Sequence, residues 1–326
     1  MVASSSTPLL KPEALLSGDT VAVIAPASQI KRDLLLAGVR GLEQLGYRAA
    51  YSEEIFSEDL YFAGNVERRI HELHQAFSDP KVKAVFCARG GYGTNYLLPY
   101  LDLELIRNNP KIFLGYSDVS TLLTYLHDQL GLITFHGPMV TKDFANANGI
   151  DKNSFHSAMN GNNGWRIAQT PGLKPLRQGS ADGKLYGGCL SMLVASLGTP
   201  YEIRTEDIIF FLEDVATKPY QIDRMLMQLK YAGKFEKVKA IIFGEMVDCV
   251  QAPDQSYTLE EVIMRALSDF SFPVAFGLRS GHVSTGNITL PLGVRAELKV
   301  FDEKVELEIT EPATVSRTGR IQAVSS

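Results

Sequence analysis

The chain has 326 residues, 45% hydrophobic and 21% charged, enough to build two domains with apolar cores. A net charge of -5 with no basic run excludes the electrostatic footprint of a nucleic-acid binder, and no apolar run is long enough to span a bilayer. The N-terminal Met1-Val2-Ala3-Ser4-Ser5-Ser6 has no export-signal pattern, and Cys87, Cys189 and Cys249 are widely spaced in apolar surroundings. Buried free thiols and a cytoplasmic location are therefore expected, with no membrane partner.

Taken in chain order, the first half alternates strand and helix signals, the pattern of a parallel sheet covered by helices. Thr20-Val21-Ala22-Val23-Ile24-Ala25 reads as a buried strand stopped by Pro26. Leu34, Leu35, Val39, Leu42 and Leu45 then recur at helical spacing up to Gly46. Asn65 caps a second helix whose stripe is Val66, Ile70, Leu73 and Phe77, ended by Asp79-Pro80. Ala84–Ala88 is a strand that breaks into Arg89-Gly90-Gly91-Tyr92-Gly93, and Ile112-Phe113-Leu114 is another that leads through Ser117 into a helix ending at Gly131.

From Asn146 to Gly183 the chain is rich in Asn, Gly, Pro, Ser and Gln and reads as a connecting segment; it holds the sole tryptophan, Trp165. Beyond it come a helix through Leu190–Leu197, a strand at Ile208–Leu212, a helix over Tyr220–Ala232 and a strand at Ala240–Phe243. Short strands follow around Val274–Phe276, Ile288–Leu290, Ala296–Val300 and Val305–Ile309. The expected class is α/β. Residues 1–145 form an N-terminal domain, 146–183 a linker, 184–313 a C-terminal domain of mixed α/β type rich in short strands, and 314–326 a mobile tail.

Three separated segments carry chemistry. Ser117, in Gly115-Tyr116-Ser117-Asp118, follows a strand and precedes a helix, the placement of a nucleophile elbow, although Val119 fills the fifth position where G-x-S-x-G has glycine. The Asp118 amide at that helix start can face a developing oxyanion, and the Gly91 amide can supply a second donor. Arg89 can grip a substrate carboxylate with its planar fork, and Tyr92 lies in the same loop. Glu213 and Asp214 both end an apolar strand and point to opposite sides, and His282 and His136 both compete as base, so neither choice is made by the residues alone. His71-Glu72-Leu73-His74 lacks the spacing of a zinc helix, and the glycine loop lacks P-loop and dinucleotide spacing, so neither metal nor cofactor is expected.

Jointly and in order, Val23-Ile24-Ala25-Pro26-Ala27-Ser28, Ala88–Gly93, Gly115–Asp118, His136-Gly137-Pro138, Gly187-Gly188-Cys189-Leu190-Ser191, Leu212-Glu213-Asp214 and Gly281-His282 resemble the LD-carboxypeptidase family of serine peptidases, the muramoyltetrapeptide carboxypeptidases. The resemblance implies a Rossmann-like N-terminal parallel sheet, a mixed C-terminal domain and a triad of Ser117, Glu213 and His282. It also implies oxyanion donors at Gly91 and Asp118, often a homodimer, and release of terminal D-alanine from a murein tetrapeptide or muropeptide in cell-wall recycling. Relatives of the same family that inactivate a peptidyl-nucleotide antibiotic give a second enzymatic expectation, for which an aromatic such as Trp165 would stack on a base. A non-catalytic receptor for murein fragments is the third.

Overall fold

The computed structural model describes residues 8–161, 164–167 and 170–317. Strands β1 (Thr20–Ile24), β2 (Arg48–Ala50), β3 (Val82–Cys87), β4 (Ile112–Gly115) and β5 (Thr134–His136) pair in parallel in the order β5-β4-β3-β1-β2. Helices α1 (Arg32–Gln44), α2 (Val66–Ser78), α3 (Leu103–Asn108) and α4 (Ser120–Leu130) form the crossovers. Parallel strands need such crossovers, and strands covered on both faces read as continuous apolar runs. The expected Asn65 cap is in place: its side chain accepts from the Arg68 amide at 2.9 Å.

After α5 (Lys152–Met159) come β6 (Trp165–Ile167), β7 (Lys174–Arg177), β8 (Gly179–Cys189), α6 (Leu190–Ala195) and β9 (Ile208–Glu213). They are followed by α7 (Pro219–Tyr231), β10 (Ala240–Gly244), α8 (Leu259–Ala266) and β11 (Val274–Leu278), and then by β12 (Leu290–Leu292), β13 (Arg295–Val300) and β14 (Val305–Ile309). The second sheet runs β6-β14-β13-β8-β9-β10-β11-β7, parallel from β8 to β11 and antiparallel at both flanks. The fold is thus mixed α/β with two sheets and many short strands. The stretch read as a linker carries a helix and three strand starts, and β12 returns from the second half to pair antiparallel with β5 at the edge of the first sheet.

One apolar cluster runs through both sheets, from Val21, Phe86 and Leu114 to Leu185, Phe211 and Leu298. Burial of this shared layer fixes how the two lobes face each other. Smaller clusters lie under α2–α4 on one outer side and under α6–α8 on the other. Trp165 packs against the shared layer from the far edge strand β6. The start of the expected tail is anchored: Val315 exchanges backbone hydrogen bonds with Pro12 and Ala14, and Arg317 pairs with Asp19 at 3.0 Å. The rest of it, 318–326, lies outside the described residues. Cys87, Cys189 and Cys249 are free and buried, and among the described residues no helix is long and apolar enough to cross a membrane.

Candidate active site

Ser117 sits where β4 turns into α4. Its φ is +64°, in the left-handed region that costs a side-chain-bearing residue roughly 1 kcal/mol or more. The turn is tight because Gly115 has no side chain: a Cβ there would meet Val119 Cγ1 at 2.9 Å. Val119 is therefore compatible with an elbow, since Gly115 alone provides the space. Ser117 remains half-buried, and Gly90 lies against it, so that a Cβ on Gly90 would stand 2.8 Å from Ser117 Cβ and 2.9 Å from its Oγ.

Glu213 ends β9 and is fully buried. Its Oε2 accepts from His282 Nδ1 at 2.8 Å and from the His282 amide at 3.1 Å, which fixes both the ring and its backbone. Asp214 turns the other way, accepting from the amides of Ser191 and Val215, each at 2.9 Å, and from the Thr217 hydroxyl at 3.0 Å. The alternation of a strand separates the two acids as expected, and the geometry picks Glu213 as the one facing imidazole. His136 is interior: its Nδ1 lies 3.0 Å from Ser280 Oγ and its Nε2 3.6 Å from Glu213 Oε1. Glu213 thus lies between two imidazoles, of which only His282 has solvent access.

Burial pushes the Glu213 carboxyl up, but His282 and His136 outweigh it and hold the group well below the usual carboxylate range. Burial likewise lowers His282, yet the Glu213 carboxylate more than offsets it, leaving the imidazole above its ordinary value. Tyr116 meets the His282 ring edge-on, centroids 5.1 Å apart, so the residue before Ser117 braces the imidazole. Ser117 Oγ makes no hydrogen bond among the described residues. Such bonds are often loose without substrate.

The glycine loop after β3 is clamped to the elbow. Thr94 donates its amide to Asp118 Oδ2 at 2.8 Å and its hydroxyl to the Asp118 carbonyl at 2.7 Å. The buried Arg69 guanidinium donates to the carbonyls of Pro26 at 2.9 Å and Gly93 at 2.8 Å, tying the β1 and β3 exits together. Gly91 has φ +105° and its bare Cα faces Ser28, whose hydroxyl accepts from the Tyr92 amide at 3.1 Å. Arg89 is exposed and donates to the Gln29 carbonyl at 3.1 Å, and Tyr92 packs with Tyr61, Phe62 and Tyr96. All lie at the carboxyl ends of the strands, where open α/β sheets bind ligands.

The two lobes also join beside the site. The Cys189 amide donates to Ser120 Oγ at 3.0 Å, and Gly188 permits this approach because a Cβ there would sit 2.6 Å from that oxygen. Cys189 Sγ, Glu213 and His282 come within 4.8 Å of one another, the one group of three potential metal ligands among the described residues. Burial pushes the Cys189 thiol well up, so it stays neutral beside the carboxylate. Arg69, Thr94 and Ser280 carry no motif signal, because each acts through a tertiary contact, and Tyr116 stands inside the Gly115–Asp118 motif although nothing local announces its contact with His282.

A hydroxyl on a strained elbow, with an imidazole held by a buried carboxylate, is the equipment of acyl transfer through a covalent intermediate. Models described as the LD-carboxypeptidase N-terminal domain and C-terminal domain match residues 21–137 and 182–298. A probable murein peptide carboxypeptidase of Bacillus subtilis is 38% identical, covering 91% of this chain and 94% of its own. The crystal structure of a muramoyltetrapeptide carboxypeptidase from Oxalobacter formigenes is 30% identical with a TM-score of 0.80, covering 90% of this chain and 99% of that one. An MccF-like protein from Bacillus anthracis is 28% identical with a TM-score of 0.85, covering 93% and 99%.

Proposed function

The chain belongs to the LD-carboxypeptidase family, and on that premise we propose that it cleaves the amide bond releasing terminal D-alanine from murein tetrapeptides. Ser117 Oγ attacks the carbonyl of the third residue while His282 takes its proton. Glu213 holds the imidazole in the tautomer that exposes Nε2 and balances the charge that forms. The amides of Gly91 and Asp118 hold the tetrahedral oxyanion, whose collapse expels D-alanine with a proton from His282. Water, deprotonated by the same imidazole, then frees the tripeptide from the serine ester.

The observation that carries this reading is the doubly hydrogen-bonded Glu213–His282 pair braced by Tyr116, one residue from a strained Ser117. A fragment receptor has no use for an imidazole raised by a buried acid. Trp165, the aromatic that a peptidyl-nucleotide substrate would have called on, packs at the far sheet edge instead. Incubation with murein tetrapeptide should release free D-alanine, detected by mass spectrometry, and Ser117→Ala should slow release by ~10³-fold or more. D-alanine appearing at an unchanged rate in that variant would overturn the reading.

A further inference from the structure

A carboxypeptidase must read a chain end, and the geometry of the reaction says where the reading cation stands. The amine that leaves is protonated by His282, so its nitrogen sits at the imidazole in the transition state. One Cα separates that nitrogen from the terminal carboxylate, and consecutive Cα atoms are only about 3.8 Å apart. The cation must therefore lie on the imidazole side of the cleft, away from the oxyanion donors.

Arg89 does not stand there. Its Nη1 is engaged by the Gln29 carbonyl, and its Nη2 lies 3.8 Å from the Cβ position of Gly91, on the glycine-loop side. Lys142 does. It belongs to the π-helical turn Val140–Phe144 that follows β5, and its Nζ lies 5.7 Å from the centre of the Tyr116 ring, the same ring that meets His282 at 5.1 Å. Its charge reaches the imidazole, opposing protonation there after the larger effects of burial and Glu213. Lys142 is exposed, and among the described residues no carboxylate lies within salt-bridge distance of it. The turn beneath it is fixed: Thr141 donates its amide and hydroxyl to the Ala88 carbonyl at 2.9 and 2.8 Å, and the Met139 amide donates to Asp143 Oδ2 at 2.8 Å. A firm base with an ammonium group free at its tip suits capture of a mobile anion.

We infer that Lys142 receives the terminal carboxylate of the peptide substrate, in place of Arg89; this rests on the hydrolase reading above. Two peptides test it, one ending in D-alanine as the free acid and the other in D-alaninamide. The wild-type protein should prefer the acid by about 10- to 100-fold in kcat/KM. Lys142→Met should lower the acid rate to that of the amide and leave the amide rate in place, Lys142→Arg should restore part of the preference, and Arg89→Met should keep it. Retention of the wild-type preference in Lys142→Met, or its loss in Arg89→Met, overturns the assignment while D-alanine release itself persists. If the wild-type protein cleaves neither peptide, the hydrolase reading falls and this inference with it.

Discussion

Ser117 holds its hydroxyl out of the sheet by adopting a φ of +64°, a conformation only glycine enters without cost. Stability and chemistry therefore conflict at one residue. Ser117→Gly should be more stable than Ser117→Ala by about 1 kcal/mol, while both lack turnover. A pair of thermal melts checks this, and equal midpoints would show that the turn stores no strain. The neighbouring imidazole makes a second prediction. In the proposed mechanism His282 must be neutral to accept the serine proton, and Glu213 raises its pKa, so kcat/KM should fall on acidification through an apparent pKa above the ordinary imidazole value of about 6.5. Glu213→Gln removes that pull, so the acid limb should move to lower pH even as the plateau drops. A limb that stays in place in the variant would assign the titration to another group.

The turn from β4 to α4 and the loop after β3 work as one element, because Gly90 of the loop touches Ser117 of the turn. Gly90→Ala would place a methyl 2.9 Å from Ser117 Oγ and 3.3 Å from the Asp118 nitrogen, in the space the proposed oxyanion would take. Turnover should fall by about 10²-fold, since small displacements of reacting groups cost that much, and the melting midpoint should drop as well, because the methyl also meets Ser117 Cβ at 2.8 Å and the turn must shift. Wild-type kinetics in Gly90→Ala would place the reacting carbonyl elsewhere. Elements of this kind are read from sequence with uneven success. α1, α2, β9 and β10 were legible because their apolar spacing or β-branched runs are unbroken. α8 was not read, although Thr258 and Glu261 form a capping box that announces it. The glycine-rich 174–189 stretch hides β7 and most of β8, whose order comes from pairing with neighbours. β12 contains Pro291, which argues against a central strand, and it is indeed an edge strand, in a sheet no local pattern could name. In the site, alternation showed that Glu213 and Asp214 diverge. Which of them faces the imidazole depends on where the loop after β11 brings His282, a tertiary fact, and the place of Lys142 beside Tyr116 is another.

At the scale of the whole molecule, the two lobes meet over the shared apolar layer and along a second, polar seam remote from Ser117. A cavity of about 940 Å³ opens between the end of α4, the segment 202–208 and the end of α7. In its wall Tyr186 of β8 donates its hydroxyl to Asp128 Oδ2 of α4 at 2.8 Å, a hydrogen bond from one lobe to the other. Burial pushes the Asp128 carboxyl up to about 7 against the pull of Tyr186 and Arg204, and pushes neighbouring His127 down to about 4. The signs are opposite. Because the folded protein keeps the Asp128 proton to higher pH than the unfolded chain does, stability from this group is lost as pH rises from the ordinary carboxylate range to about 7. For His127 the loss comes as pH falls from the ordinary imidazole value toward about 4. Asp128→Asn keeps an acceptor for Tyr186 and removes the titration, so its stability relative to wild type should rise between pH 5 and pH 8 by roughly 1–3 kcal/mol. Denaturant melts at the two pH values measure that difference directly. Parallel pH profiles for the two proteins would mean that the seam is wet enough to solvate the Asp128 carboxylate, and that its titration does not bear on how firmly the lobes are joined.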